Sequence, residues 1–174
     1  MKIYILSISD SDKHFAPLIE EYIKRLPKNL LQIINLKPYK SDNHQQCITK
    51  DTENMISRLK DISWLKIMLS KDWIPKTTEQ LVEIYNKSLQ NDQNIIYIIW
   101  WPYGLDEAMV RPYISEYISF GKITVPHGLA KLIIVEQIYR CSFLWLYILY
   151  AIFSIETLFY DLTLSYQIDI SANI

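Results

Sequence analysis

Glycine is scarce in this chain: only Gly104, Gly121 and Gly128 occur in 174 residues. An average chain is about 7% glycine, so a fold built on many tight glycine turns is excluded. The two cysteines, Cys47 and Cys141, lie far apart; they make neither a disulfide scaffold nor a Cys-based zinc site. A formal net charge of −1 excludes a globally basic nucleic-acid binder and leaves a local basic face open. Lysine and arginine are absent after Arg140. Eighteen basic against sixteen acidic residues leave +2 over residues 1–140, and Glu156, Asp161 and Asp169 leave −3 over residues 141–174. The longest uncharged stretch, residues 141–155, is shorter than the roughly 20 residues that span a bilayer. It is expected to be a buried or interfacial helix. No basic-then-apolar leader follows Met1, so no signal peptide is expected, and the expected setting is reducing and cytoplasmic.

What is present is a regular alternation. Half the residues are apolar, enough for one domain with a real core. Apolar runs predict strands at residues 2–8, 30–36, 64–69 and 94–101, the last (NIIYIIWW) continuous, β-branched and aromatic. Ser9-Asp10-Ser11-Asp12 offers turn and N-cap chemistry before the first helix. Helical spacing predicts helices at 15–26, 49–59, 77–89, 105–119 (interrupted at Pro112) and 129–149, with a short strand at 122–125. Strands alternating with helices imply an α/β fold, a mainly parallel sheet with helices on both faces.

In such sheets ligands bind in loops beyond the carboxyl ends of the strands. Three segments qualify: Leu69-Ser70-Lys71, Pro102-Tyr103-Gly104, and residues 121–128. All three glycines fall in the last two. A chain this poor in glycine is expected to keep it where φ is positive or the backbone approaches a ligand.

These segments carry a resemblance. Residues 126–140 (PHGLAKLIIVEQIYR) have a P-H-x-L-x-K/R start and an E-x-I/L-Y-R finish on one helix. Pro102-Tyr103-Gly104-Leu105 matches the end of a G-G-P-x-G-L motif, and residues 119–126 and 20–25 (EEYIKR) match flanking segments. The pattern resembles the ribosomal RNA large subunit methyltransferase H family, of the SPOUT class. The resemblance covers residues 1–140 as a methyltransferase domain and leaves 141–174 as an atypical apolar tail.

The resemblance implies a deep trefoil knot, an exception to the usual unthreaded chain, and a homodimer. It implies transfer of a methyl group from S-adenosylmethionine to N3 of a pseudouridine in 23S rRNA of the ribosome. Carried over residue by residue, the cofactor pocket takes Leu69, Gly104, Gly121, Lys122, Ile123, Thr124, Val125 and Pro126. Arg140, with Lys24 and Arg25, is the candidate RNA contact. No catalytic base is assigned and no metal is expected; Asp10, Asp12 and His14 on one turn lack a distant fourth ligand. His127 suits a helix-end role or proton transfer. Glu136 and Arg140, four apart on a helix, suit a surface ion pair.

The chain departs from the family pattern. Trp100-Trp101 replace the glycine pair, and an indole there is expected to fill cofactor space. Ser9-Asp10 and Ser70-Lys71-Asp72-Trp73 replace glycine-containing turns, and no histidine follows His127. A second reading follows: an inactive knotted relative that only dimerises or contacts RNA.

Overall fold

The computed structural model describes residues 1–9, 13–100 and 104–144. Five strands form one sheet: β1 (Ile3–Ile8), β2 (Leu31–Leu36), β3 (Leu65–Leu69), β4 (Ile95–Ile99) and β5 (Glu116–Ile118). Their order is β2-β1-β4-β3-β5, and each pairing is parallel. Ile3 sits opposite Leu31 on one side and Ile95 on the other, and Leu65 is in register with Ile95.

The period of two decides which side chain meets which helix layer. Ile3, Ile5, Ile67, Leu69, Ile95, Tyr97 and Ile99 face one core. Leu6, Ile8, Met68, Ile96 and Ile98 face the other. Every residue of β4 is buried, as a central strand covered on both faces requires.

The first core is closed by α1 (Ala16–Arg25), α3 (Thr78–Gln90) and α5 (residues 127–144) through Ile19, Leu81, Val82, Tyr85, Ile134, Val135 and Ile138. The second is closed by α2 (His44–Leu59) and the single turn α4 (Glu107–Val110) through Met55, Leu59 and Val110. Helices α2 and α3 start on side-chain caps, as α4 does on Asp106. Asn43 accepts from the Gln46 amide at the head of α2, and Thr77 forms a reciprocal capping box with Gln80 at the head of α3. The cap of α1 is Phe15, without a side-chain bond but with Pro17 in the first turn. Asp10, Ser11 and Asp12, expected as N-cap residues, lie outside the described residues. Leu18 of α1 is 48% exposed, although it shares the helical spacing of the buried Ile19 stripe.

Two expected elements are corrected. Residues 105–119 are not a helix: α4 ends at Val110, Arg111–Tyr113 make a 3-10 turn, and Glu116–Ile118 form β5 beside β3. Pro112 supplies no amide to continue the helix, and the exposed edge of β3 takes up the next residues. Residues 122–125 form no strand; β5 ends before them, and Pro75 bridging Ser119 is the last pairing.

Helix α5 runs through position 140 without a break as far as residue 144; the tail from 145 to 174 lies outside the described residues. A buried polar cluster seats this helix. Lys131, 2% exposed, donates from Nζ to Asn35 Oδ1 at 2.8 Å, and Ser7 Oγ donates to the same oxygen at 2.8 Å. A buried ammonium needs such acceptors. The cluster ties α5 to the ends of β1 and β2. Among the described residues no helix is long and apolar enough to cross a membrane.

Candidate active site

The carboxyl ends of β3, β4 and β5 open onto one cavity of about 610 Å³. Three walls build it. The first is the end of β3 and its loop, Leu69-Ser70-Lys71. The Ser70 amide donates to the Ile118 carbonyl at 2.9 Å, continuing the sheet by one bond. The Trp73 ring stacks on Tyr117 of β5, with centroids 4.4 Å apart, and holds the loop over the sheet edge.

The second wall is the end of β4, Ile99 and Trp100, with Gly104. Gly104 has φ +88°, a conformation that side-chain-bearing residues rarely adopt. Behind it the Asp106 amide donates to Thr52 Oγ1 on α2 at 2.9 Å, and Asp106 Oδ1 accepts from the Met109 amide to cap α4. Thr52 is fully buried, and its hydroxyl donates to the Ile48 carbonyl at 2.7 Å. One hydroxyl thus joins α2 to the backbone two residues past Gly104.

The third wall runs from Ile118 to His127. Ser119 is buried; its Oγ accepts from the Gly121 amide at 3.0 Å and donates to the Gly121 carbonyl at 3.1 Å. That tight turn holds Gly121 at φ +109°. The Pro126 carbonyl accepts the Ala130 amide at 2.9 Å, the first bond of α5. His127 Nδ1 lies 3.0 Å from the Trp100 carbonyl. A carbonyl only accepts, so Nδ1 carries the hydrogen, and the neutral ring then presents Nε2 as an acceptor. This bond fastens the start of α5 to the end of β4.

Seven of the eight residues carried over as a cofactor pocket line this cavity: Leu69, Gly104, Gly121, Ile123, Thr124, Val125 and Pro126. Lys122 is exposed and is not among the lining residues. Gly104 and Gly121 have the positive φ expected of retained glycines; Gly128 sits in the first turn of α5 instead. Trp100 forms part of the wall and leaves the cavity open. Trp101, Pro102 and Tyr103 lie outside the described residues.

Sequence reasoning left Thr52 and Lys131 without a role. Thr52 had a signal: it lies three and seven residues before Met55 and Leu59, on the same buried stripe of α2. A hydroxyl on an apolar stripe must find a partner. Lys131 had one as well, a charge on the buried side of α5.

The basic candidates lie elsewhere. Lys24 and Arg25 end α1, and Arg140 lies thirteen residues along α5 from His127, about 20 Å at the helical rise. The Tyr22 and Tyr139 rings meet edge-on at 5.4 Å, joining α1 to α5 between the two arginines. Arg25 pairs with Glu21 and Arg140 with Glu136, each four residues earlier. Among the described residues no group of His, Cys, Asp and Glu gathers to hold a metal ion; Asp10 and Asp12 lie outside them.

Comparison with known proteins matches residues 1–145 to the family model described as "Predicted SPOUT methyltransferase". The chain is 33% identical over 145 residues to the ribosomal RNA large subunit methyltransferase H of Francisella philomiragia, covering 80% of this chain and 92% of that protein. It is 29% identical over 144 residues to the protein of the same name from Pseudothermotoga lettingae, with the same coverage. The Mesomycoplasma hyopneumoniae protein of that name is 31% identical over 147 residues, covering 80% of this chain and 91% of the relative.

Proposed function

Because the chain belongs to the SPOUT methyltransferases, in the family of ribosomal RNA large subunit methyltransferase H, we propose that it methylates N3 of a pseudouridine in 23S rRNA. S-adenosylmethionine would be the donor, and the working form a cytoplasmic homodimer acting on the ribosome. The observation that carries this reading is the convergence of three chain segments on one cavity at the carboxyl ends of β3, β4 and β5.

The residues present fit such a cofactor. The volume lies within the range of small-molecule sites, and the lining is mainly apolar with a few directed polar groups. Two positive-φ glycines bring bare backbone to the wall. When bound, the cofactor supplies an activated methyl group on a sulfonium; the protein supplies position and dryness. Leu69, Gly104 and residues 123–126 would hold the adenosine and methionyl parts, Lys122 standing outside the cavity wall. The knot that the family implies would keep these segments together around the ligand. With Nδ1–H engaged by Trp100, His127 Nε2 can accept a proton near the cavity. Arg140, Lys24 and Arg25 would contact RNA phosphate on the α1–α5 side.

Trp100 stands where the family pattern has glycine, and that substitution favours the second reading of an inactive relative. One titration separates the two. Calorimetry of the full chain with S-adenosylmethionine and with its demethylated product is expected to give saturable binding, and ribosomes lacking the modification are expected to accept labelled methyl groups. Absence of binding by either ligand refutes the methyltransferase reading; its return in Trp100→Gly would establish the inactive relative.

A further inference from the structure

The described lining of the cavity is unbalanced in charge. Among the described lining residues the ionisable side chains are Lys71 and His127, and no carboxylate is among them. Lys71 lies two residues past the end of β3 and is exposed. Among the described residues no carboxylate pairs with it. The amino-terminal end of α5, whose main-chain amides carry partial positive charge, opens at the same wall through His127 and Ala130. The rest of the lining is largely apolar, including Leu69, Ile99, Ile118, Phe120 and Val125. Apolar walls screen charge less than water does.

From this imbalance we propose that Lys71 makes the cavity prefer the uncharged thioether product over the sulfonium donor. The proposal rests on the methyltransferase reading. Methyl transfer removes one positive charge from the ligand: the sulfur keeps the electron pair of the broken S–C bond, the imide nitrogen forms the new N–C bond, and its proton leaves to water. Donor and product share the adenosine, carboxylate and ammonium groups. Their affinity ratio therefore cancels those contacts and reports the methyl group and the sulfonium charge. The methyl is the same whatever residue stands at 71. The change in that ratio between Lys71 and a neutral residue isolates the charge.

A like charge at the same partly wet cavity mouth changes affinity on the order of three- to tenfold. The test is calorimetry of the full chain with S-adenosylmethionine and S-adenosylhomocysteine, at low and high salt, for the wild type, Lys71→Met, Lys71→Arg and Lys71→Glu. The donor-to-product Kd ratio is expected to fall about three- to tenfold in Lys71→Met and further in Lys71→Glu. It should hold in Lys71→Arg. Added salt should shrink the ratio in the wild type and leave it unchanged in Lys71→Met. Binding of both ligands with the same ratio in all four proteins overturns the role of Lys71 and leaves the methyltransferase reading standing. Binding of neither ligand to the wild type removes that reading and this proposal together.

Discussion

Thr52→Val isolates the strut behind the cavity wall. Valine matches threonine in shape, so the packing beside Met55 changes little. What is lost is the buried oxygen that accepts the Asp106 amide at 2.9 Å. No water replaces it easily, because Thr52 is fully buried. An unsatisfied buried amide costs about 1–3 kcal/mol. For a chain of this length, about 2 kcal/mol lowers Tm by about 4–8 °C. Thr49→Val is the control, three residues earlier on the same helix. The Thr49 hydroxyl only donates back to the Gln45 carbonyl, at 3.0 Å and in contact with solvent. Such back-bonding adds little to a helix, so that variant should stay within about 0.5 kcal/mol of wild type. Urea denaturation of both variants reads the difference. Because Asp106 lies two residues past Gly104, Thr52→Val should also weaken product binding severalfold, while Thr49→Val should not. Equal stability of the two variants would refute the strut.

Two further outcomes concern pH. The Asp51 carboxyl is buried, and desolvation raises its pKa although the Tyr39 amide donates to it at 2.8 Å. A raised pKa means the native state binds the proton more tightly than the unfolded chain, so this group's contribution to stability is full at acid pH and falls as pH rises through the native pKa. Asp51→Asn keeps an acceptor for Tyr39 and removes the charge. It should stabilise the protein at neutral pH, with the gain vanishing toward acid in a pH series of urea titrations. Burial pushes the Cys141 thiol up to about 12 from an ordinary value near 9; burial also raises Tyr85 and Tyr97. These groups stabilise the fold below their unfolded pKa values, and that stability is lost as pH climbs above about 9. Native Cys141 should resist thiol alkylation at mildly alkaline pH and react once urea unfolds the chain; rapid labelling of the native protein would contradict its burial.

The four long strands were legible because their signal is local. Continuous apolar runs such as Ile95–Ile99 can be satisfied only by burial on both faces. The inward stripes of the helices were legible for the same reason, and Met55 and Leu59 are fully buried as their spacing requires. The motif around residues 126–140 carried the family, because it is a specific order of residue types spaced along one helix.

Other features depend on distant partners. The three residues of β5 have no strand pattern of their own; they pair with Ile67, Met68 and Leu69, nearly fifty positions earlier. Residues 122–125 look like a strand locally, yet no sheet edge reaches them, and Ile123, Thr124 and Val125 border the cavity instead. Local chemistry alone determined that this chain would alternate strand and helix; of its three glycines, Gly104 and Gly121 have positive φ, while Gly128 lies in a helix. Only tertiary structure decided that Thr52 meets Asp106, that Lys131 meets Asn35, and that Lys71 stands at the cavity. Those contacts join residues far apart in sequence, and their free energy exists only once the sheet has brought its strand ends together.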